Sequence, residues 1–139
     1  MNADRLKATL VVDEGLRLKP YWDSVSKLTI GVGRNLDDRG ITKTEAMYLL
    51  NRDITQATRD AKRAVENFLE LSDVRQEIII NMVFNMGLTR FKGFRNTIKA
   101  IEAKDYGLAS IEMLDSLWAR QVGPRAKRLA RRMRTGKYA

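Results

Sequence analysis

Glu14, Asp23 and Thr29 place two carboxyl groups and a hydroxyl in one short segment, with eight residues between the acids and five between Asp23 and Thr29. Two carboxyls can cleave a glycosidic bond when one protonates the leaving oxygen and the other acts as nucleophile or activates water. The surrounding residues separate those roles. Glu14 ends a stretch in which Leu6, Leu10 and Val11 fall at helical spacing, and Gly15 sits where a C-cap glycine would stop the helix. An anion is disfavoured at a helix C-terminus and beside apolar neighbours, so both effects favour the protonated form that a general acid needs. Asp23 lies among Tyr21, Trp22 and Ser24 in a polar-edged turn and ionises more easily, which divides the pair into acid and base. The Thr29 hydroxyl can both donate and accept, and so can hold a water against Asp23. Spacing alone leaves a plainer alternative open, because a chain with 17 acids contains many such pairs. In that alternative Glu14 and Asp23 are surface or cap residues, and Thr29 is an ordinary strand residue.

The elements that must hold these groups follow from local signals. A first helix is expected over Asp4 to Glu14. Tyr21-Trp22 and Leu28 to Val32 read as short strands joined by a polar turn, a small hairpin. In Thr29-Ile30-Gly31-Val32-Gly33 the face bearing Thr29 next shows Gly31 and Gly33, where a bulky sugar ring could approach the backbone. Gly31-Val32-Gly33 is weak as a nucleotide signature, since Leu36 stands where a third glycine would be needed and no phosphate-loop Lys-Ser/Thr pair follows. Asn35 to Gly40 reads as loop. Thr42 and Glu45 have capping-box spacing and predict a long helix over Lys43 to Ala64. Asp73 and Gln76 repeat that spacing ahead of a central buried helix that runs to Met86 and stops at Gly87. Shorter helices are expected over Phe94 to Ala103 and Tyr106 to Trp118. Gly123-Pro124 opens a last helix, with Ala126, Leu129, Ala130 and Met133 on one face and an end near Gly136.

Composition narrows the chemistry. The 139 residues suffice for one well-filled core and are few for two domains of usual size. With no cysteine and no histidine, thiol nucleophiles, imidazole triads, disulfides and zinc sites built on these ligands are excluded. Catalysis must rest on carboxylates, hydroxyls, Lys, Arg or Tyr, and no cofactor or metal is expected. The first seven residues include Asp4, Arg5 and Lys7 and carry no apolar run of signal-peptide or membrane-span length. Net charge is +9, and Ser116 to Ala139 hold eight Lys or Arg and no acid, a surface that favours polyanions.

Beyond the three site residues, the chain carries Asp13-Glu14-Gly15-Leu16-Arg17-Leu18-Lys19, Ile41-Thr42-Lys43 and Glu45-Ala46. It continues with Asn81-Met82-Val83-Phe84-Asn85-Met86-Gly87, Gly93-Phe94, Arg125-Ala126-Lys127-Arg128 and Arg134-Thr135-Gly136. In these segments, in this order, the chain resembles the T-even phage lysozyme family. The resemblance implies a mostly helical α+β, lysozyme-like fold: a single domain over residues 1–139 with a hairpin lobe at about 14–42. The helical lobe would span 43–139 with helix one packing onto it, and a glycan cleft would lie between the lobes. It implies hydrolysis of the β-1,4 bond between N-acetylmuramic acid and N-acetylglucosamine by an endolysin of phage or prophage origin, leading to cell lysis. Glu14 would be the acid, Asp23 would activate water and Thr29 would help place it, with inversion at the anomeric centre. Gly31, Phe84, Asn85 and Thr97 would face substrate, and Arg125 would support the acid as its partner, opposing the effects that keep Glu14 protonated. Core packing is the alternative for Phe84, and a solvent-facing helix position the alternative for Thr97.

By the same resemblance the partners are peptidoglycan strands and a holin-type membrane protein that lets a leaderless monomer pass from the host cytoplasm to the periplasmic wall. Contact of the basic C-terminal helix with anionic membrane or lipopolysaccharide is a further expectation, and a plain solvated basic face is its alternative. No specific nucleic acid is expected. Two rival functions remain open: a lytic transglycosylase, and a non-catalytic basic wall- or nucleic-acid-binding homologue. The chain also departs from the family pattern. Arg34 stands where many relatives carry His, and Asp37 or Asp38 is its expected partner. The Asn35 to Gly40 connection is short, which implies a shallower cleft, and the order around Arg120 to Pro124 is shifted.

Overall fold

A computed structural model describes residues 1–139, and the chain divides into two compact units, Met1–Tyr48 and Leu49–Ala139. The fold is α+β and mostly helical, as expected. In the first unit, helix α1 (Ala3–Glu14) begins at Asn2, whose side chain accepts the Arg5 N–H at 3.0 Å, and ends where the Gly15 N–H returns to the Val11 carbonyl. Strands β1 (Arg17–Trp22), β2 (Leu28–Gly31) and β3 (Arg34–Asn35) form one antiparallel sheet in that order. Tyr21 pairs with Thr29 and Trp22 with Leu28, while Arg17 pairs with Gly31 across an irregularity in β1. The expected hairpin thus gains a third strand, and two residues are too few for a period-2 pattern to reveal it.

The segment expected as loop contains a one-turn helix, α2 (Leu36–Arg39). Its cap is local: Asn35 Oδ1 accepts the Asp38 N–H at 2.9 Å. A single turn offers no apolar periodicity, so only its Asn start signalled it. Helix α3 (Lys43–Ala64) opens on the expected capping box, with the Glu45 N–H donating to Thr42 Oγ1 at 3.1 Å and the Thr42 N–H donating to Glu45 Oε1 at 2.9 Å. The hydrogen bonds from Thr42 hold the Glu45 carboxyl below its ordinary pKa. Arg34 does not pair with Asp37 or Asp38; its Nε donates to the Gly40 carbonyl at 3.1 Å and Nη2 meets Glu45 Oε1 at 3.3 Å. The two aspartates are occupied elsewhere, as the site geometry makes clear.

The second unit is built on α4 (Asp73–Met86), preceded by a 3-10 turn at Phe68–Glu70 and followed by α5 (Leu88–Lys92), α6 (Arg95–Glu102), α7 (Tyr106–Leu114), α8 (Leu117–Val122) and α9 (Pro124–Thr135). Helix α4 is the central helix, burying Val74, Ile78, Ile79, Met82, Val83 and Met86. Its N-cap is Ser72 rather than Asp73, and Gln76 turns back to the carbonyls of Phe68 and Leu71 at 3.1 Å. The expected helix over Tyr106 to Trp118 breaks after Leu114. There Ser116 restarts the chain by accepting the Ala119 N–H at 3.0 Å, a stronger local signal than the apolar run across it. Helix α9 buries the expected stripe, Ala126, Leu129, Ala130 and Met133, and packs on α4, α7 and α8.

Arg75 ties this packing together. Its Nε donates to the Met133 carbonyl at 2.9 Å and Nη2 to the Arg134 carbonyl at 3.3 Å, while the guanidinium lies 3.6 Å from the centre of the Tyr106 ring. These are the orphan carbonyls at the end of α9, satisfied from α4. Arg75→Ala is expected to cost about 2 kcal/mol, since charged-donor hydrogen bonds contribute 1.5–3 kcal/mol. Thermal unfolding followed by circular dichroism should show a midpoint lowered by about 5 °C or more, and Arg75→Lys should recover only part of it because the fork is lost.

Candidate active site

Glu14, Asp23, Thr29 and Gly31 all lie in the first unit. Glu14 is the last residue of α1 and is exposed. The chain that follows β2 runs against it: a Cβ built on Gly33 would stand 2.9 Å from Glu14 Oε2 and 3.3 Å from its Cδ. Gly33 also has φ +64°, a region that side chains disfavour. Glycine is favoured there by the backbone of the turn, while the exposed Glu14 carboxyl can move aside from a Cβ. Gly33→Ala is expected to destabilise by roughly 1–2 kcal/mol from the left-handed backbone alone. Denaturant unfolding should show nearly the same loss in a Glu14→Ala background, because the cost lies in the backbone.

Asp23 begins the turn between β1 and β2. Its Oδ1 accepts the N–H groups of Val25 and Lys27 at 2.9 and 2.8 Å, and its own N–H donates to the Lys27 carbonyl at 2.9 Å. Because one oxygen is consumed by the turn, Oδ2 is left for chemistry. Thr29 is the one residue of this unit that is fully buried, 3% exposed, and its hydroxyl donates to the Lys27 carbonyl at 2.9 Å. Its lone pairs remain to accept. Asp23 and Thr29 are therefore both fixed to the backbone polar groups of Lys27. Gly31 has nothing within 4 Å of a built Cβ and is open as the strand pattern suggested, but Gly33 is not: it lies in the turn beyond β2, with the Glu14 carboxyl against it.

Lys27 is itself held. Its Nζ meets Asp38 Oδ1 at 3.1 Å, Asp38 Oδ2 accepts from Asn35 Nδ2 at 2.9 Å, and Asp37 Oδ2 accepts the Leu28 N–H at 2.7 Å. The hydrogen bond between Lys27 and Asp38 raises the lysine pKa and lowers that of the aspartate. The favourable contribution of Asp38 is therefore present above the ordinary aspartate range and fades as pH falls through its lowered pKa. That of Lys27 fades only as pH rises through its raised one.

Phe84, Asn85, Thr97 and Arg125 lie in the second unit. Phe84 is 46% exposed and so is not core; it lines a depression of about 410 Å³ with Leu50, Ile54, Ile80, Asn81 and Arg125. Arg125 is fixed there by Asn81, whose Oδ1 accepts from Nε at 3.0 Å and Nη2 at 2.7 Å. Asn85 accepts the Trp118 Nε1–H at 2.9 Å and so holds a ring rather than standing free. Thr97 is 2% exposed, which excludes a solvent-facing helix position. It sits in the wall of a second depression, about 550 Å³, with Phe94, Arg95, Glu112, Asp115 and Trp118. Lys27, Asn81 and Trp118 are the supporting residues that sequence reasoning did not single out; Asn81 and Trp118 act on partners far along the chain, and Lys27 acts through its backbone, which residue type does not mark. No group of three or more acids gathers as metal ligands would.

Comparison with known proteins adds a separate line. The phage lysozyme family profile matches residues 12–135. The chain is 29% identical over 160 residues to a probable T4-type lysozyme 1 of Dictyostelium discoideum, spanning 94% of each chain. A probable T4-type lysozyme 2 of the same organism is 29% identical over 161 residues, again 94% of each. The chain is also 30% identical over 152 residues to the pre-baseplate central spike protein Gp5 of Enterobacteria phage T4, covering 89% of this chain and 26% of that protein.

Proposed function

The chain belongs to the phage lysozyme family, and from that premise we propose that it is an N-acetylmuramidase that hydrolyses the β-1,4 bond between N-acetylmuramic acid and N-acetylglucosamine in peptidoglycan. The observation that carries this reading is the paired anchoring of Asp23 and Thr29 on Lys27, with Asp23 Oδ2 and the Thr29 lone pairs left over. A water can donate one hydrogen to each and present its own lone pair to the sugar. Glu14, a carboxyl set against Gly33, protonates the leaving oxygen. Asp23 takes the proton of the attacking water. An acid at the leaving oxygen and a base activating a water on the opposite face of the sugar invert the anomeric centre, which requires carboxyl groups roughly 6.5–9.5 Å apart.

Gly31 leaves room for a sugar ring over β2, and the exposed Phe84 ring with the Asn81-fixed Arg125 provides an apolar face and a cation for a glycan. Asn85 acts through Trp118, and Thr97 contributes a hydroxyl to the depression it lines. The cellular role is that of an endolysin acting as a monomer without cofactor. It is made in the host cytoplasm, reaches the periplasmic wall through a holin-type partner, and is drawn to anionic wall or lipid by the basic face of α9. No helix is long and apolar enough to cross a membrane.

The test is the chemistry of the ends released from purified peptidoglycan, read by mass spectrometry. Reducing muramic acid ends are expected. Anhydromuramoyl ends would make the protein a lytic transglycosylase, and no release at all would leave a wall-binding homologue.

A further inference from the structure

No hydrogen bond joins the side chains of Asp23 and Thr29; what relates them is Lys27, whose N–H is taken by Asp23 Oδ1 and whose carbonyl accepts both the Asp23 N–H and the Thr29 hydroxyl. A rotation about the Lys27 backbone changes the placement of the carboxylate relative to the hydroxyl. The turn that carries Lys27 is not rigid by composition: Ser24, Val25 and Ser26 are exposed, and Ser26 has φ +61°, an unfavourable conformation for a residue with a side chain. Its internal hydrogen bonds all run through Asp23, and a second set reaches it from outside the turn. The circuit that does so closes through α2. Lys27 Nζ reaches Asp38 Oδ1, Asp38 Oδ2 is held by Asn35 Nδ2, and Asn35 is the β3 residue paired with Thr29. Asp37 takes the next backbone N–H, that of Leu28.

We propose that α2 is a positioning clamp for the reaction, with Asp37, Asp38 and Lys27 setting the placement of Asp23 relative to Thr29 while contacting no substrate. The inference rests on the muramidase reading. Fold stability alone does not explain the arrangement. The Lys27–Asp38 pair is 41% and 55% exposed, and exposed pairs contribute little to stability. A helix of four residues has no core of its own, and none of its residues is buried. What it does have is two successive acids spent on two successive residues of the catalytic turn. A water-activating base and a water-placing hydroxyl must be held to within a fraction of an ångström, so a weak restraint at the right atom matters more for turnover than for folding.

The experiment compares wild type, Lys27→Met, Asp38→Asn, the double variant and Lys27→Arg on purified peptidoglycan, with amide hydrogen exchange measured by NMR on the same proteins. Lys27→Met and Asp38→Asn are each expected to lower kcat about tenfold with KM within twofold, and the double variant no further, as for two halves of one contact. Lys27→Arg should restore most of kcat, and the melting midpoints should stay within a few degrees. Exchange at the Lys27 and Leu28 N–H groups should speed up at least tenfold in Met and Asn variants. Unchanged kcat in an active enzyme would overturn the clamp whatever the exchange shows, as would a loss confined to KM. An inactive wild type would instead sink the muramidase reading and this proposal with it.

Discussion

Glu14→Gln is expected to lower the rate of glycan cleavage by about 10³-fold, within the 10²–10⁴-fold that a positioned general acid supplies. The substitution is close to isosteric, so the contact with Gly33 is kept and only the transferable proton is lost. Glu14 is exposed and accepts no hydrogen bond that the amide would break, so the thermal midpoint should not move. KM should also hold, because protonation of the leaving oxygen is felt in the transition state and not in the bound ground state. Asp23→Asn makes an instructive companion. The amide oxygen can still accept from Val25 and Lys27, so the turn survives while the negative charge that draws the water's proton does not. Initial rates on permeabilised Gram-negative cells and on purified peptidoglycan measure both variants. Wild-type rates from Glu14→Gln would show that another group supplies the proton.

Trp118→Ala should have the largest effect on stability, about 3–5 kcal/mol, the range for removing a large buried aromatic side chain. The ring is 3% exposed, donates its N–H to Asn85 at 2.9 Å and stands edge-on to Phe94 with centroids 6.2 Å apart. Phe94 in turn lies against Phe91, so truncation opens a hole at the junction of α4, α5 and α8. That loss is a large share of a typical total stability of 5–15 kcal/mol, and guanidinium unfolding followed by circular dichroism should show a much lower midpoint. Trp118→Phe should be far milder. It keeps most of the apolar body, and the Asn85 amide, on an exposed residue, can turn to water. Intrinsic fluorescence gives an independent reading, since the other tryptophan, Trp22, is 68% exposed and unfolding changes chiefly the environment of Trp118.

The site was legible to different depths. Residue type and spacing made Glu14, Asp23 and Thr29 candidates, and the family resemblance of the segments around them chose that reading over surface or cap positions; the end of α1, the turn and the strand are each set by neighbours within a few residues. The stripe on α9 was legible for the same reason: Pro124 and Gly136 frame it, and four apolar residues recur on one face. Helix α2 and the break before Ser116 were missed or misplaced because a single turn has no period to detect. Arg34 was assigned to the wrong acids because Asp37, Asp38 and Glu45 are equally acidic in the sequence. The geometry of the sheet gives the first two to the Asp23 turn and leaves Glu45 within reach.

By itself, the sequence determined the long helices α3 and α4 and the buried stripe of α9, the exclusion of thiol and imidazole chemistry, and which groups are able to act as acid, base and hydroxyl, but not the burial of α1, whose Leu6, Leu10 and Val11 stay exposed. These depend on interactions within one or two turns and on residue types, both of which are present in the linear chain. Only the tertiary structure decided that Thr29 and Asp23 share Lys27, that Gly33 is pressed against Glu14, and that Asn81 fixes Arg125. The same is true of Asn85, which holds Trp118. Each of those contacts joins groups whose chemistry would fit several partners. Strand register and helix packing, which sum over many residues, choose among them.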